Sequence, residues 1–258
     1  MTREQANIRK KKLYAVIFAI LTVILLCVIG CAVYAGDYYH AEEIAVQAMA
    51  SDGHITVSEA EDGVLLFLPD NPQAGLIFYP GGKVEYTAYA PLMRACAQRG
   101  ILCVLLEMPW NLAVLDVNAA DGITERYPEI DAWYLSGHSL GGAMAANYAA
   151  SHSDELDGLI LLAAYSTKDL SGSDLTVLSV CGSEDHVLNA KKYAVNQSNL
   201  PADTIEVVIE GGCHAGFGTY GPQSGDGTPS ISSQEQIDRT AEEIWNMVQS
   251  RGQHFISK

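Results

Sequence analysis

Residues 133–145 read WYLSGHSLGGAMA, which joins an apolar strand pattern to an alanine-rich helix pattern through a short turn. The turn has the form Gly-x-Ser-x-Gly, with Ser139 between Gly137 and Gly141. A serine in so sharp a strand-to-helix turn takes a strained backbone conformation, and this is tolerated only where the residues two before and two after it have no side chain. The pattern therefore predicts that the Ser139 hydroxyl is presented above the end of a strand as a nucleophile.

Short apolar runs alternate with helical patterns over the rest of the chain. The internal runs are continuous in Val, Leu and Ile, which is typical of parallel strands that are covered on both faces. Strands are predicted at 55–57, 64–68, 76–79, 102–106, 133–135, 158–162, 175–180 and 205–209, and helices near 86–98, 112–126, 140–151, 187–197 and 232–249. This alternation predicts an α/β fold with a doubly wound, mostly parallel sheet and an active site at the carboxyl ends of its strands.

A serine hydroxyl is a weak nucleophile near neutral pH, so a base must accept its proton and an acid must orient that base. His214 is the candidate base, because it alone among the seven histidines lies in the glycine-flanked loop directly after the last predicted strand, whereas His254 lies in the C-terminal tail. The acid is expected in the loop that follows the strand at 175–180, where Glu184 and Asp185 are adjacent. Asp185 is the preferred candidate and Glu184 is the alternative.

Attack on a carbonyl group places negative charge on its oxygen, which two preorganised donors must stabilise. The amide of Leu140, directly after the nucleophile, is the first candidate donor. The second is expected in the loop that follows the strand at 76–79, where Pro80 has no N–H and Gly81 and Gly82 remain. Of these two, we favour Gly81.

Several motifs together resemble the α/β-hydrolase superfamily, and in particular its small bacterial "alpha/beta hydrolase fold-5" subgroup. They are YPGGK at 79–83, EMP at 107–109, GHSLGG at 137–142, GSED at 182–185 and GGCHAGFG at 211–218, and the likeness covers roughly residues 60 to 250. The resemblance implies that Ser139 is the nucleophile, Asp185 the acid and His214 the base. Only about a dozen residues join Leu162 to Leu175, which predicts a minimal fold without a cap domain.

The N-terminal segment has the pattern of a membrane helix. Residues 13–36 carry no charge, and as a helix they would extend over about 36 Å, enough to cross a bilayer. Basic residues precede the segment at 9–12 and acidic residues follow it at 37, 42 and 43, so we expect a single-pass signal anchor in the cell membrane with the following domain on the extracytoplasmic side. Cleavage after Val33–Ala35 and lipidation at Cys31 are the two alternatives.

The sequence accordingly predicts a basic cytoplasmic N-terminus at 1–12, an anchor at 13–36, a stalk at 37–52 and a catalytic domain at 53–258. The net charge of −16 argues against a nucleic-acid partner. The sequence has no Cys-x-x-Cys pair and no His-Glu-x-x-His motif, so we expect neither a metal nor an organic cofactor.

These features together predict a membrane-anchored serine hydrolase. Its expected activity is that of a carboxylesterase, which cleaves a small ester-like substrate through an acyl-enzyme. A thioesterase or an acyltransferase would use the same residues, and a non-catalytic, membrane-tethered binding module is a further alternative.

Overall fold

The computed structural model describes residues 3–60 and 63–256, and it divides into two compact units, Met1–Tyr38 and Tyr39–Lys258. The first unit is built on helix α1 (Arg3–Gly36). Within it, Lys10–Tyr34 is a stretch of 25 residues with a mean hydropathy of 3.1, long and apolar enough to cross a membrane.

The second unit contains an eight-stranded sheet in the order β1-β2-β4-β3-β5-β6-β7-β8. Strand β2 pairs antiparallel with β1 and β4, and all other neighbouring strands are parallel. The strands are β1 (Ile55–Ala60), β2 (Val64–Pro69), β3 (Ala74–Tyr79), β4 (Ile101–Leu106), β5 (Trp133–His138), β6 (Gly158–Leu162), β7 (Thr176–Gly182) and β8 (Ile205–Ile209). The prediction of a doubly wound, mostly parallel sheet is confirmed.

Helices cover both faces of the sheet. They are α2 (Glu43–Ala48), α3 (Ala90–Ala97), α4 (Leu140–Ala149), α5 (Ala190–Asn196) and α6 (Ser233–Ile256). Strand β3 shows why its sequence is apolar throughout: Leu76 and Phe78 pack in one hydrophobic cluster with α3 and α6, while Ile77 and Tyr79 pack in another with α4. Burial of each large aliphatic side chain contributes about 1.5–3 kcal/mol to the free energy of unfolding. The two clusters therefore hold β3, and with it the loop at its carboxyl end, in place.

The helix predicted at 112–126 is wrong. This segment forms only short 3-10 turns at Ala113–Leu115 and Thr124–Arg126, and another such turn, Pro109–Asn111, precedes it. The buried hydroxyl of Tyr79 donates to the Val117 carbonyl at 2.7 Å and accepts the Ala120 N–H at 3.0 Å. A helix would pair the Val117 carbonyl and the Ala120 N–H within its own backbone. Here the Tyr79 side chain binds both groups and so holds the segment in turns.

The stalk predicted at 37–52 also needs correction, because residues from Tyr39 onward belong to the second unit. Tyr39 donates its N–H to the Lys83 carbonyl at 2.8 Å and accepts the Glu85 N–H at 2.9 Å. Ala45 of α2 is fully buried, and Ala48 is nearly so. The small residues of this short helix pack on the domain, so its boundary lies near residue 39 rather than 53.

Candidate active site

Ser139 occupies a strained turn between β5 and α4. Its φ of 52° and ψ of −119° lie in a region that residues with a side chain rarely adopt. A Cβ atom on Gly137 would overlap the backbone of Gly141, and one on Gly141 would overlap the carbonyl oxygens of Tyr79 and Pro80. The two glycines therefore permit the turn, and the half-buried Ser139 lies at the carboxyl end of a central strand.

Asp185 and His214 meet at the same edge of the sheet, after β7 and β8. Asp185 Oδ2 lies 2.8 Å from His214 Nδ1, and both side chains are only 2% exposed. The other carboxylate oxygen of Asp185 accepts the N–H groups of Val187 at 2.9 Å and Leu188 at 2.8 Å. Because an ionised carboxylate only accepts hydrogen bonds, a single ring proton on His214 belongs on Nδ1, which leaves Nε2 as an acceptor.

The side chain of Glu184, the alternative acid, accepts a hydrogen bond from Ser183 Oγ at 3.2 Å instead. His214 Nε2 is buried and has no hydrogen-bond partner among the residues that the structure describes. The structure thus brings Asp185 and His214 together but forms no hydrogen bond between His214 and Ser139. Such bonds are often long in unliganded enzymes and shorten in the substrate complex.

The loop after β3 does not present Gly81 as a free donor. The Gly81 N–H donates to the hydroxyl of Tyr89 at 3.1 Å. Gly82 lies against Leu140, since a Cβ atom on Gly82 would be 2.7 Å from Leu140 Cδ2. Within residues 3–60 and 63–256, the amides of Gly82 and Leu140 donate to no protein acceptor. The amide of Gly81, the favoured second donor, is thus bound to a buried side chain, whereas the amide of Gly82, the alternative, is not.

Asp226 is a residue near the site that the sequence did not single out. Its Oδ2 accepts the Ala215 N–H at 2.8 Å, and its Oδ1 accepts the N–H groups of Gly227 at 2.8 Å and His186 at 3.3 Å. Burial raises the pKa of this carboxyl, but the backbone donors outweigh burial and lower its pKa overall. The only sequence signal was an Asp-Gly pair, which indicates a turn and no role in the site.

His138 and Tyr89, which the sequence did not single out, also lie at the site. The His138 ring is buried, and its centroid is 4.6 Å from that of His214. His138 Nδ1 lies 2.8 Å from the Tyr89 hydroxyl. Burial, followed by the proximity of His214, holds the pKa of His138 well below its ordinary value. No regular sequence spacing connects residues 89, 138 and 214.

The connection between β6 and β7 lacks a helix throughout residues 163–175, all of which are described, so no cap domain is inserted there. Within the described part of the chain, no group of three or more His, Cys, Asp and Glu side chains is arranged to hold a metal ion. The cysteines at 27, 31, 96, 103, 181 and 213 are free thiols.

A sequence profile of the alpha/beta hydrolase family matches residues 75–238, more than half of the chain. This chain belongs to the alpha/beta hydrolase family. The match extends from β3 into α6 and includes Ser139, Asp185 and His214. No curated protein sequence matches this alpha/beta hydrolase.

Solved structures share the fold of this alpha/beta hydrolase at low sequence identity. A predicted CIB-like hydrolase from Thermoplasma acidophilum matches with a TM-score of 0.52 and 15% identity, over 74% of this chain and 99% of its own. Carboxyl esterase 2 from the fungus Tuber melanosporum matches with a TM-score of 0.56 and 10% identity, over 82% and 91%. Epoxide hydrolase I from potato, Solanum tuberosum, matches with a TM-score of 0.55 and 13% identity, over 76% and 99%. These likenesses show the fold alone.

Proposed function

We propose that this alpha/beta hydrolase is a serine hydrolase that cleaves carboxylic esters through an acyl-enzyme, with Ser139 as nucleophile, His214 as base and Asp185 as acid. The contact between Asp185 and His214 carries the proposal. With a single ring proton on Nδ1, the buried Nε2 of His214 is an acceptor at the carboxyl ends of the strands, where Ser139 occupies its strained turn. This is the protonation state that removal of a proton from a serine hydroxyl requires.

In the proposed reaction, Ser139 Oγ attacks the ester carbonyl while its proton passes to His214 Nε2. The carbonyl oxygen becomes an oxyanion, which the amides of Leu140 and Gly82 would stabilise. His214 then returns the proton to the leaving alcohol as the ester bond breaks, and Asp185 stabilises the imidazolium in between. Water, activated by His214, attacks the acyl-enzyme in the same way and releases the acid.

Both an esterase and an epoxide hydrolase are among the proteins with this fold, and the chemistry of Ser139 favours an acyl substrate. Attack of a serine hydroxyl on an epoxide would form an ether, which water does not hydrolyse under mild conditions. Attack on a carboxylic ester forms another ester, which water does hydrolyse. The same reasoning admits thioesters as substrates and alcohols as acyl acceptors, so thioesterase and acyltransferase activities remain outcomes of the test.

We further propose that residues 13–36 anchor the protein in the cell membrane, with the hydrolase domain on the extracytoplasmic side. The length and apolar character of Lys10–Tyr34 support the anchor. The basic residues at 9–12 and the acidic residues at 37, 42 and 43 support the orientation, because positively charged flanks stay in the cytoplasm.

A fluorophosphonate probe tests the proposed nucleophile. We expect the full-length protein in detergent to be labelled, Ser139→Ala to be unlabelled, and the control Ser151→Ala, in an exposed serine after α4, to react like the wild type. Hydrolysis of acyl esters and thioesters of increasing chain length would then define the activity. A folded wild-type protein that the probe does not label would contradict the proposal and favour a binding module.

A membrane-impermeant version of the probe tests sidedness. Labelling of Ser139 in intact cells is expected if the domain is extracytoplasmic. Labelling that requires the cells to be opened would place the domain in the cytoplasm.

A further inference from the structure

The hydroxyl of Tyr89 lies between the loop after β3 and the turn that carries Ser139. Tyr89 ends the 3-10 turn Tyr86–Tyr89 in front of α3 and is fully buried. Its oxygen is 3.1 Å from the Gly81 nitrogen and 2.8 Å from His138 Nδ1. The three groups leave no spare room, because a Cβ atom on Gly81 would be 2.6 Å from the Tyr89 oxygen and 2.7 Å from His138 Nδ1.

The protons in this cluster can be assigned from hydrogen-bond chemistry. The Gly81 N–H can only donate, so the Tyr89 oxygen accepts from it. Burial raises the pKa of Tyr89, so the hydroxyl keeps its own proton. If that proton is directed at His138 Nδ1, the one group of this cluster without a partner within hydrogen-bond limits is the Nε2–H of His138, and the backbone of His214 partly compensates it, because it favours the protonated ring. The opposite assignment would leave both the Tyr89 O–H and His138 Nε2 unpaired, which is less favourable because burial of a polar group without a hydrogen bond costs free energy.

The favoured arrangement thus has His138 neutral, with its proton on Nε2. This matters for His214, whose ring centroid is 4.6 Å from that of His138. In the proposed reaction His214 becomes an imidazolium, and a second positive charge at that distance would oppose its formation. A neutral His138 allows His214 to accept the proton.

The same hydroxyl also acts on the loop after β3. By accepting the Gly81 N–H, it fixes the Pro80–Gly81 peptide, which is next to the peptide that carries the Gly82 N–H, the proposed second donor to the oxyanion. The ring itself is held independently of the hydroxyl, since it packs against Phe78 with centroids 5.0 Å apart and against Tyr220 at 6.3 Å.

We propose that Tyr89 is a positioning residue of this hydrolase: one hydroxyl holds the loop after β3 in place for the oxyanion and holds His138 in its neutral Nε2–H form against His214. The inference rests on the proposed function. It adds a connection between the loop that carries the proposed oxyanion donor Gly82 and the proposed base His214. Tyr89 touches neither the substrate nor the reacting atoms in this arrangement.

Histidine tautomers provide a test that does not depend on activity. The full-length protein is labelled with ¹⁵N-histidine in detergent, and His138 is assigned by comparison with His138→Gln. We expect an unprotonated Nδ1 and a protonated Nε2 for His138 near pH 7 in the wild type, and a changed or mixed tautomer in Tyr89→Phe. A protonated Nδ1 in the wild type would overturn the proposal, even if no Tyr89 variant could be folded.

Kinetics test the effect on the reaction. We expect Tyr89→Phe to lower kcat for an ester by about 10- to 100-fold, less than the loss on removing an oxyanion donor outright. KM should stay within about twofold, and affinity for a trifluoromethyl ketone that forms an oxyanion should fall in parallel with kcat. The control is Tyr193→Phe, which removes a hydroxyl bound to Ser179 and Glu206 on the β7–β8 side of the sheet.

Two failures are distinguishable in these experiments. A wild-type protein that no fluorophosphonate labels would refute the serine hydrolase itself. A wild-type protein that is labelled, with a folded Tyr89→Phe variant that keeps both the wild-type kcat and the wild-type His138 tautomer, would refute only the role of Tyr89.

Discussion

Asp226 accepts the backbone N–H of Ala215 at 2.8 Å, directly after the proposed base His214. The same carboxylate accepts the N–H of His186 at 3.3 Å, directly after the proposed acid Asp185. One side chain therefore joins the loop after β7 to the loop after β8. The contact between Asp185 and His214 depends on how these two loops lie against each other.

Removal of the Asp226 charge should loosen both loops. In Asp226→Asn one oxygen can still accept from Ala215, but the amide –NH2 would face other N–H donors, and we expect the free energy of unfolding to fall by about 1–3 kcal/mol. The value of kcat/KM for the proposed ester hydrolysis should fall with it. Denaturant unfolding in detergent measures the first effect, and Asp238→Asn, at an exposed position on α6, is the control. Unchanged stability and kinetics would show that Asp226 holds neither loop.

The tautomer of His214 gives a sharper expectation for Asp185. Asp185→Asn should fold, yet its side-chain amide would favour the ring with the proton on Nε2, which cannot accept from Ser139. In triads of serine proteases the equivalent change lowers kcat by about 10⁴-fold, and we expect a loss of similar size. Glu184→Gln is the matched control and should retain most activity. The reverse ranking in ester hydrolysis would make Glu184 the acid.

Glycine at the Ser139 turn should be required for folding as well as for the proposed chemistry. Gly141→Ala would drive a Cβ atom into the carbonyl oxygens of Tyr79 and Pro80, and we expect a destabilisation of about 3 kcal/mol or more, the upper range for overpacking. The control is Gly172→Ala, because a Cβ atom there meets no atom within 4 Å. Thermal unfolding of both variants measures the difference in stability. Equal unfolding temperatures would contradict the geometry of the turn.

Burial of His138 should make stability depend on pH. Burial, with His214 nearby, lowers the folded-state pKa of His138 well below the ordinary value of 6.5. The unfolded chain therefore binds a proton that the folded protein does not, so this contribution to stability is complete above about pH 6.5 and declines as the pH falls below it. The slope is about 1.4 kcal/mol per pH unit for one proton.

The measurement is the free energy of unfolding in detergent between pH 7.5 and 5. His138→Gln should show a shallower decline than the wild type, whereas His54→Gln, which replaces a side chain that is 89% exposed, should keep the wild-type slope. If the wild type and His138→Gln have the same slope, His138 is not held neutral in the folded protein.

Local chemistry explains what could be predicted in advance. The turn at Ser139 follows from glycines within two residues of it, and the parallel strands follow from short, continuous apolar runs. The helix expected at 112–126 does not form, because the Tyr79 hydroxyl binds the backbone of Val117 and Ala120 in place of helical hydrogen bonds. Tyr79 lies more than 30 residues earlier in the chain. No local pattern could have indicated that contact.

The sequence by itself determined the α/β architecture, the strained serine turn, the three candidate triad residues and an apolar N-terminal helix of membrane-spanning length. All of these depend on residues close together in the chain or on the order of its segments. Only the tertiary structure decided that the Gly81 amide is occupied by Tyr89, that His138 lies against His214 and that Asp226 joins two loops. These contacts connect side chains and backbone groups from different strands, and they exist only once the sheet has brought those strands' carboxyl ends together.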